Sequence, residues 1–115
     1  MHAFMHGVDD EEVYNLDSDR KGIGYTDTPA DYQWSRHQRP LRPGDQLLLV
    51  TDGVTDQIGG ARDIMFGKKR IQSLLTEQRG QPMSEVSGVL QAALTEWQGK
   101  QPSRDDMTWF GFSWR

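Results

Sequence analysis

The sequence predicts a small α+β domain, on three observations. Leu47-Leu48-Leu49-Val50 is a short, unbroken apolar run that stops at Asp52-Gly53, the pattern of a strand covered on both faces. Met83, Val86, Val89, Leu90, Ala93, Leu94 and Trp97 recur at intervals of three and four, which makes one apolar stripe along a helix. The chain closes on Trp109-Phe110-Gly111-Phe112-Ser113-Trp114, β-rich and aromatic on both faces, so a strand with little water on either side is expected.

Composition limits what such a domain can do. With 115 residues there is room for one core, burying roughly two-thirds of the unfolded surface. Charged residues make up 26% with a net charge of −4, and no basic surface for nucleic acid is apparent. Mean hydropathy is −0.76. The absence of cysteine excludes disulfides and thiolate metal sites. No apolar run approaches membrane-spanning length and no signal peptide stands at the start, so a cytoplasmic chain without a membrane segment is the expectation.

In chain order, Met1–Asp10 reads as a disordered start. His2 and His6, four apart, could share a helix face and hold a metal, but no third ligand follows at a motif spacing, so solvated imidazoles are expected. Glu12–Leu16 reads as a strand ending in the turn Asp17-Ser18-Asp19, and Gly22–Pro29 as a loop. Asp31–Leu41, with Tyr32, Trp34 and Leu41 among polar residues, reads as a half-exposed strand, His37 at a solvated edge position. The Pro43-Gly44 turn would return it as a hairpin onto Leu47–Thr51. Val54–Ile58 suits one helical turn, Gly59-Gly60 breaks it, and Ala61–Phe66 connects. Gly67 caps a helix over Lys68–Gln78, which Gly80 stops; Ile71, Leu74 and Leu75 form its apolar face. Lys68, Lys69 and Arg70 in its first turn could meet a phosphorylated partner or form a solvated face. The second helix spans Met83–Gln98 between Pro82 and Gly99, and Trp97 should lie buried against a sheet.

Two acidic positions carry the chemistry. Asp52 ends one apolar strand, and Gly53 turns the chain away; the pair could hold a metal or a phosphate, or serve as a cap. Asp105-Asp106 precedes the terminal strand, over Met107–Trp114. Side by side these carboxylates repel, and either a divalent cation or Arg104 could hold one of them. If the two strands are neighbours, Asp52 and one of the Asp105-Asp106 pair arrive at the same sheet end. An all-oxygen set of that kind suits Mg²⁺ or Mn²⁺ better than zinc.

Four segments in series resemble the second half of metal-dependent protein phosphatases. They are Pro43-Gly44-Asp45, Leu47-Leu48-Leu49-Val50-Thr51-Asp52-Gly53-Val54-Thr55-Asp56, Phe66-Gly67 and Arg104-Asp105-Asp106-Met107-Thr108. The family is the protein phosphatase 2C-like (PPM) one, in its SpoIIE-like bacterial branch, and the resemblance runs from about Glu12 to Trp114. The Ile23-Gly24 pair also matches the family pattern. The resemblance implies a layered α-β-β-α sandwich of mainly antiparallel sheets, present here as a partial, C-terminal portion of the phosphatase domain over residues 1–115. It also implies a binuclear Mn²⁺ or Mg²⁺ centre with Asp52 and Asp105 as ligands to one ion; Gly53, Asp106 and Asp56 are secondary. The implied reaction is in-line attack of a metal-activated water on phosphoserine or phosphothreonine. The implied substrate is a bacterial regulatory protein such as an anti-sigma-factor antagonist.

One departure follows. The family's upstream metal-binding aspartate and its Asp-x-x-Gly-His-Gly-like motif have no counterpart, since His6-Gly7 lacks the preceding Asp. The chain is therefore expected to be the C-terminal portion of a larger phosphatase, and alone a poor or inactive catalyst. The alternative reading is a non-catalytic, phosphatase-like interaction module, dimerising or joined to an upstream sensor domain. A receiver domain is disfavoured: Glu12–Leu41 is not an amphipathic helix, and no later strand ends in the Lys such a site needs.

Overall fold

The computed structural model describes residues 1–7, 13–16 and 40–114. In those residues the elements run β1 (His2–His6), β2 (Tyr14–Leu16), β3 (Gln46–Val50), α1 (Asp52–Thr55), β4 (Ile58–Gly59), β5 (Ile64–Met65), α2 (Lys68–Glu77), α3 (Met83–Gln98) and β6 (Trp109–Ser113). Four strands form an antiparallel sheet in the order β2-β1-β3-β6, and β4 and β5 form a small separate hairpin.

The apolar run became the inner strand because it can be paired on both edges. His2↔Val50 through His6↔Gln46 joins it to β1, and Gln46↔Ser113 through Val50↔Trp109 joins it to β6. Two expectations are corrected by this. Residues 2–6 are a paired strand, not a disordered start; residues 8–10 lie outside the described set. The expected hairpin between Asp31–Leu41 and Leu47–Thr51 has no free edge of β3 to use. Of its first arm only Pro40 and Leu41 are described, and neither is in a strand. Gly22–Pro29 and His37 also lie outside the described residues.

Alternation divides the sheet into two faces. On one, Phe4, Leu48 and Val50 join Val54, Phe66, Ile71, Leu75, Val86, Leu90 and Leu94 in the core. The helical stripe of α3 faces this core, as its period requires, and α2 adds Ile71, Leu74 and Leu75. His6 is also buried there, not solvated as its position suggested. On the other face the registered rows are Leu16, Ala3, Leu49, Phe110 and Tyr14, Met5, Leu47, Phe112, all but the tyrosine hydroxyl apolar. Phe110 is 61% exposed, and β6 pairs only with β3 among the described residues, so the expectation of a terminal strand shielded on both faces is corrected. A sheet with helices on one side and a second apolar face is one half of a four-layer α-β-β-α stack.

Trp97 is half-buried against the β4–β5 hairpin, not fully buried against the sheet. Its indole N–H lies 3.2 Å from the carbonyls of Gln57 and Ile64, Phe66 meets it edge-on, and the Arg70 guanidinium stacks 4.0 Å from its ring centroid. Arg70 also donates to the Phe66 carbonyl, so it serves the fold and is not held out toward a partner.

Candidate metal centre

The site begins where β3 ends and β6 starts. The ladder runs one residue past both strands: the Thr51 N–H donates to the Thr108 carbonyl, and the Thr108 N–H to Thr51 Oγ1, each at 3.0 Å. Thr51 Oγ1 in turn lies 3.2 Å from the Asp106 carbonyl. The Thr51 hydroxyl is thus turned across the sheet end and does not cap α1.

Asp52 opens α1, where its negative charge suits the helix start. Its backbone is held: the Asp52 carbonyl accepts the Asp56 N–H at 2.8 Å and the Thr55 hydroxyl at 3.2 Å. Its side chain is 59% exposed, and Oδ1 lies 2.9 Å from the Met1 ammonium and 3.1 Å from His2 Nε2. The hydrogen bond from that ammonium is the main reason its carboxyl is held below the usual range; burial opposes, and His2 and Lys68 assist. His2 is itself lowered, first by burial and then by Lys68 and the ammonium, against the pull of Asp52 and Asp56. Near neutral pH its ring is therefore uncharged, and the close His2–Asp52 contact is dipolar, not an ion pair.

Gly53 brings the second acidic segment in. A Cβ built there would stand 2.3 Å from the Asp106 carbonyl oxygen and 2.9 Å from that of Asp105. The Asp52-Gly53 turn and the Asp105-Asp106 backbone are therefore in direct contact, across some fifty residues of sequence, and only a residue without a side chain allows it. Asp105 is exposed, and its Oδ1 accepts the Asp106 N–H at 2.7 Å, which fixes that carboxylate close to its own backbone. Asp106 is engaged through its backbone, and Asp56 lies one helical turn beyond Asp52, its Oδ1 3.5 Å from the Thr55 hydroxyl.

These donors are all oxygen, two carboxylates, and their chemistry fits a hard divalent cation. Among the described residues no group of three or more His, Cys, Asp or Glu gathers, so such an ion would take much of its shell from elsewhere. Sequence reasoning weighed His2 as a solvated imidazole and Lys68 as a solvated or phosphate-facing cation, linked neither to Asp52, and missed Gln57. The separation of His2 and Lys68 from Asp52 along the chain, and in Gln57 the lack of any motif, left no local signal.

Comparison with known proteins identifies the fold and the family. The structure superposes on the SiaA-PP2C domain of Pseudomonas aeruginosa with a TM-score of 0.84 and 32% identity, covering 99% of this chain and 43% of that one. It superposes on the phosphatase domain of the cell fate determinant SpoIIE from Bacillus subtilis with a TM-score of 0.67 and 13% identity, covering 99% and 46%. The chain thus spans less than half of either solved chain, and the fold is a partial PP2C-type phosphatase domain. No curated protein sequence matches. Among the described residues no helix is long and apolar enough to cross a membrane. Residues 2–115 match the family described as Stage II sporulation protein E (SpoIIE), and the chain belongs to that family.

Proposed function

We propose that this chain carries one part of the active site of a Mn²⁺- or Mg²⁺-dependent phosphoprotein phosphatase acting on phosphoserine or phosphothreonine. Its substrate would be a bacterial regulatory protein such as an anti-sigma-factor antagonist. The observation that carries the reading is the seating of Asp52-Gly53 on the Asp105-Asp106 backbone, which places two carboxylate-bearing segments together at one sheet end.

In this reading Asp52 and Asp105 each give a carboxylate to the same ion. When bound, divalent cations lower the pKa of water and offset charge on the phosphoryl oxygens. Asp52, on a helix start with its carbonyl doubly hydrogen-bonded, presents its carboxylate with little backbone freedom. Asp105 is oriented by the Asp106 N–H. His2, uncharged near neutral pH, can stand beside Asp52 without competing with a cation for it as a charge would. Lys68, whose charge is felt by both His2 and Asp52, adds positive field toward an incoming phosphoryl group. With two protein carboxylates, affinity for the ion should be weak, about millimolar as in the loosest oxygen sites.

The second reading, a non-catalytic interaction module, is favoured by the observation that no group of three or more His, Cys, Asp or Glu gathers among the described residues. One titration separates them. Mn²⁺ added to the labelled chain should broaden NMR signals first at Asp52, Gly53 and Asp105, and the effect should vanish in Asp52→Asn. Broadening spread evenly over all exposed carboxylates would leave only the module.

A further inference from the structure

We propose that Gln57 is a positioning residue for the metal centre, holding the loop that carries Asp105 against the Asp52-Gly53 turn. The inference rests on the reading of Asp105 as a ligand. Gln57 follows Asp56, the residue that caps α1, and is fully buried. Its Nε2 donates to the carbonyls of Ile58 and Pro102, each at 3.0 Å, and the Arg104 N–H donates to its Oε1 at 3.3 Å. Two carbonyl partners require the amide nitrogen and one N–H requires the oxygen, so the partners themselves fix the orientation of the side chain.

The backbone of the same residue is equally occupied. The Gln57 carbonyl accepts the Phe66 N–H at 2.9 Å and the Trp97 indole N–H at 3.2 Å. Gln57 is thus anchored to the hairpin and to α3 through its main chain, and reaches through its side chain to the loop ending at Asp105. That loop is exposed from Pro102 to Asp106; Gln98 reaches Ser103 and Thr51 reaches Asp106 at its surface, and the buried amide spanning Pro102 and Arg104 is its anchor from the interior. A leucine would fill the space and bond none of the three groups; a glutamate would accept from Arg104 but repel the Pro102 carbonyl.

The test uses Mn²⁺ and the full chain. Gln57→Leu and Gln57→Glu should weaken Mn²⁺ binding, read by broadening at Asp52 and Asp105, by about 10-fold or more, the usual scale for residues supporting ligands. Leu90→Ala, which destabilises the core without touching the loop, should leave Mn²⁺ affinity unchanged while folded. In the unsubstituted chain the Arg104 amide should exchange with solvent markedly more slowly than that of Ser103. Folded Gln57 variants with unchanged Mn²⁺ affinity would overturn the proposal. So would an Arg104 amide exchanging as fast as its neighbour, which remains decisive if the variants do not fold. Failure of the unsubstituted chain to show localised broadening would instead sink the ligand reading, and this inference with it.

Discussion

Replacing Gly53 by alanine isolates the contact on which the site depends. The added methyl would lie 2.3 Å from the Asp106 carbonyl oxygen, 2.9 Å from its carbon and 2.9 Å from the Asp105 oxygen. All three are backbone atoms, so no flexible side chain can yield; ordinary contact begins near 3.4 Å, and the two segments must part by about 1 Å. That shift stretches the bonds tying Thr51 to Asp106 and Thr108, which stand at 3.0–3.2 Å. Overpacking of this kind costs about 1–3 kcal/mol, and each hydrogen bond lost adds about 1 kcal/mol. Alanine's better helix propensity returns at most about 1 kcal/mol. Gly53→Ala should therefore destabilise by about 1–3 kcal/mol in a urea titration and weaken Mn²⁺ broadening at Asp105. Gly88→Ala is the control: it lies within α3 with open space where its Cβ would go, so the same substitution should stabilise by up to about 1 kcal/mol. A neutral Gly53→Ala with unchanged Mn²⁺ response would refute the claim that the two acidic segments are in contact.

Leu90, fully buried at the centre of the α3 stripe, should cost about 2–5 kcal/mol when cut to alanine; a near-neutral denaturant midpoint would mean that the stripe does not face this core. Acid should destabilise the chain in two stages. His2 is lowered, so the folded state binds fewer protons than the unfolded one; its contribution is complete above about pH 6.5 and declines as pH falls below. Asp52 is also lowered, so its contribution is held above about pH 4 and lost as pH falls through its folded value. Urea midpoints should drop on acidification in both windows. His2→Gln should flatten the upper one and acetylation of the Met1 amine should shrink the lower; a midpoint rising toward acid would contradict both assignments.

The helices were legible because their information is local. The three-and-four spacing of Val86, Leu90 and Leu94, bounded by Pro82 and Gly99, needs no knowledge of the partner surface, and α3 spans Met83–Gln98 as the spacing predicts. The run Leu47–Val50 likewise announced a strand flanked by structure. Its partners were not announced. β1 carries His2 and His6 around Ala3, Phe4 and Met5, with no strong alternation, and it is a strand because β3 offers it an edge; with both edges of β3 taken, the expected hairpin partner had none to use. Exposure of Phe110 was equally invisible, since an aromatic residue reads alike on an edge strand and an inner one. At the site, the residues Asp52, Gly53, Asp105 and Asp106 stand out in the sequence, as the ends of apolar runs. Only tertiary structure shows why residue 53 must be glycine, that Thr51 turns its hydroxyl across to Asp106, and that Gln57 spans to Pro102 and Arg104. Those requirements arise where side chains of one segment meet the backbone of another 45 to 57 residues away, and no local pattern encodes such a meeting.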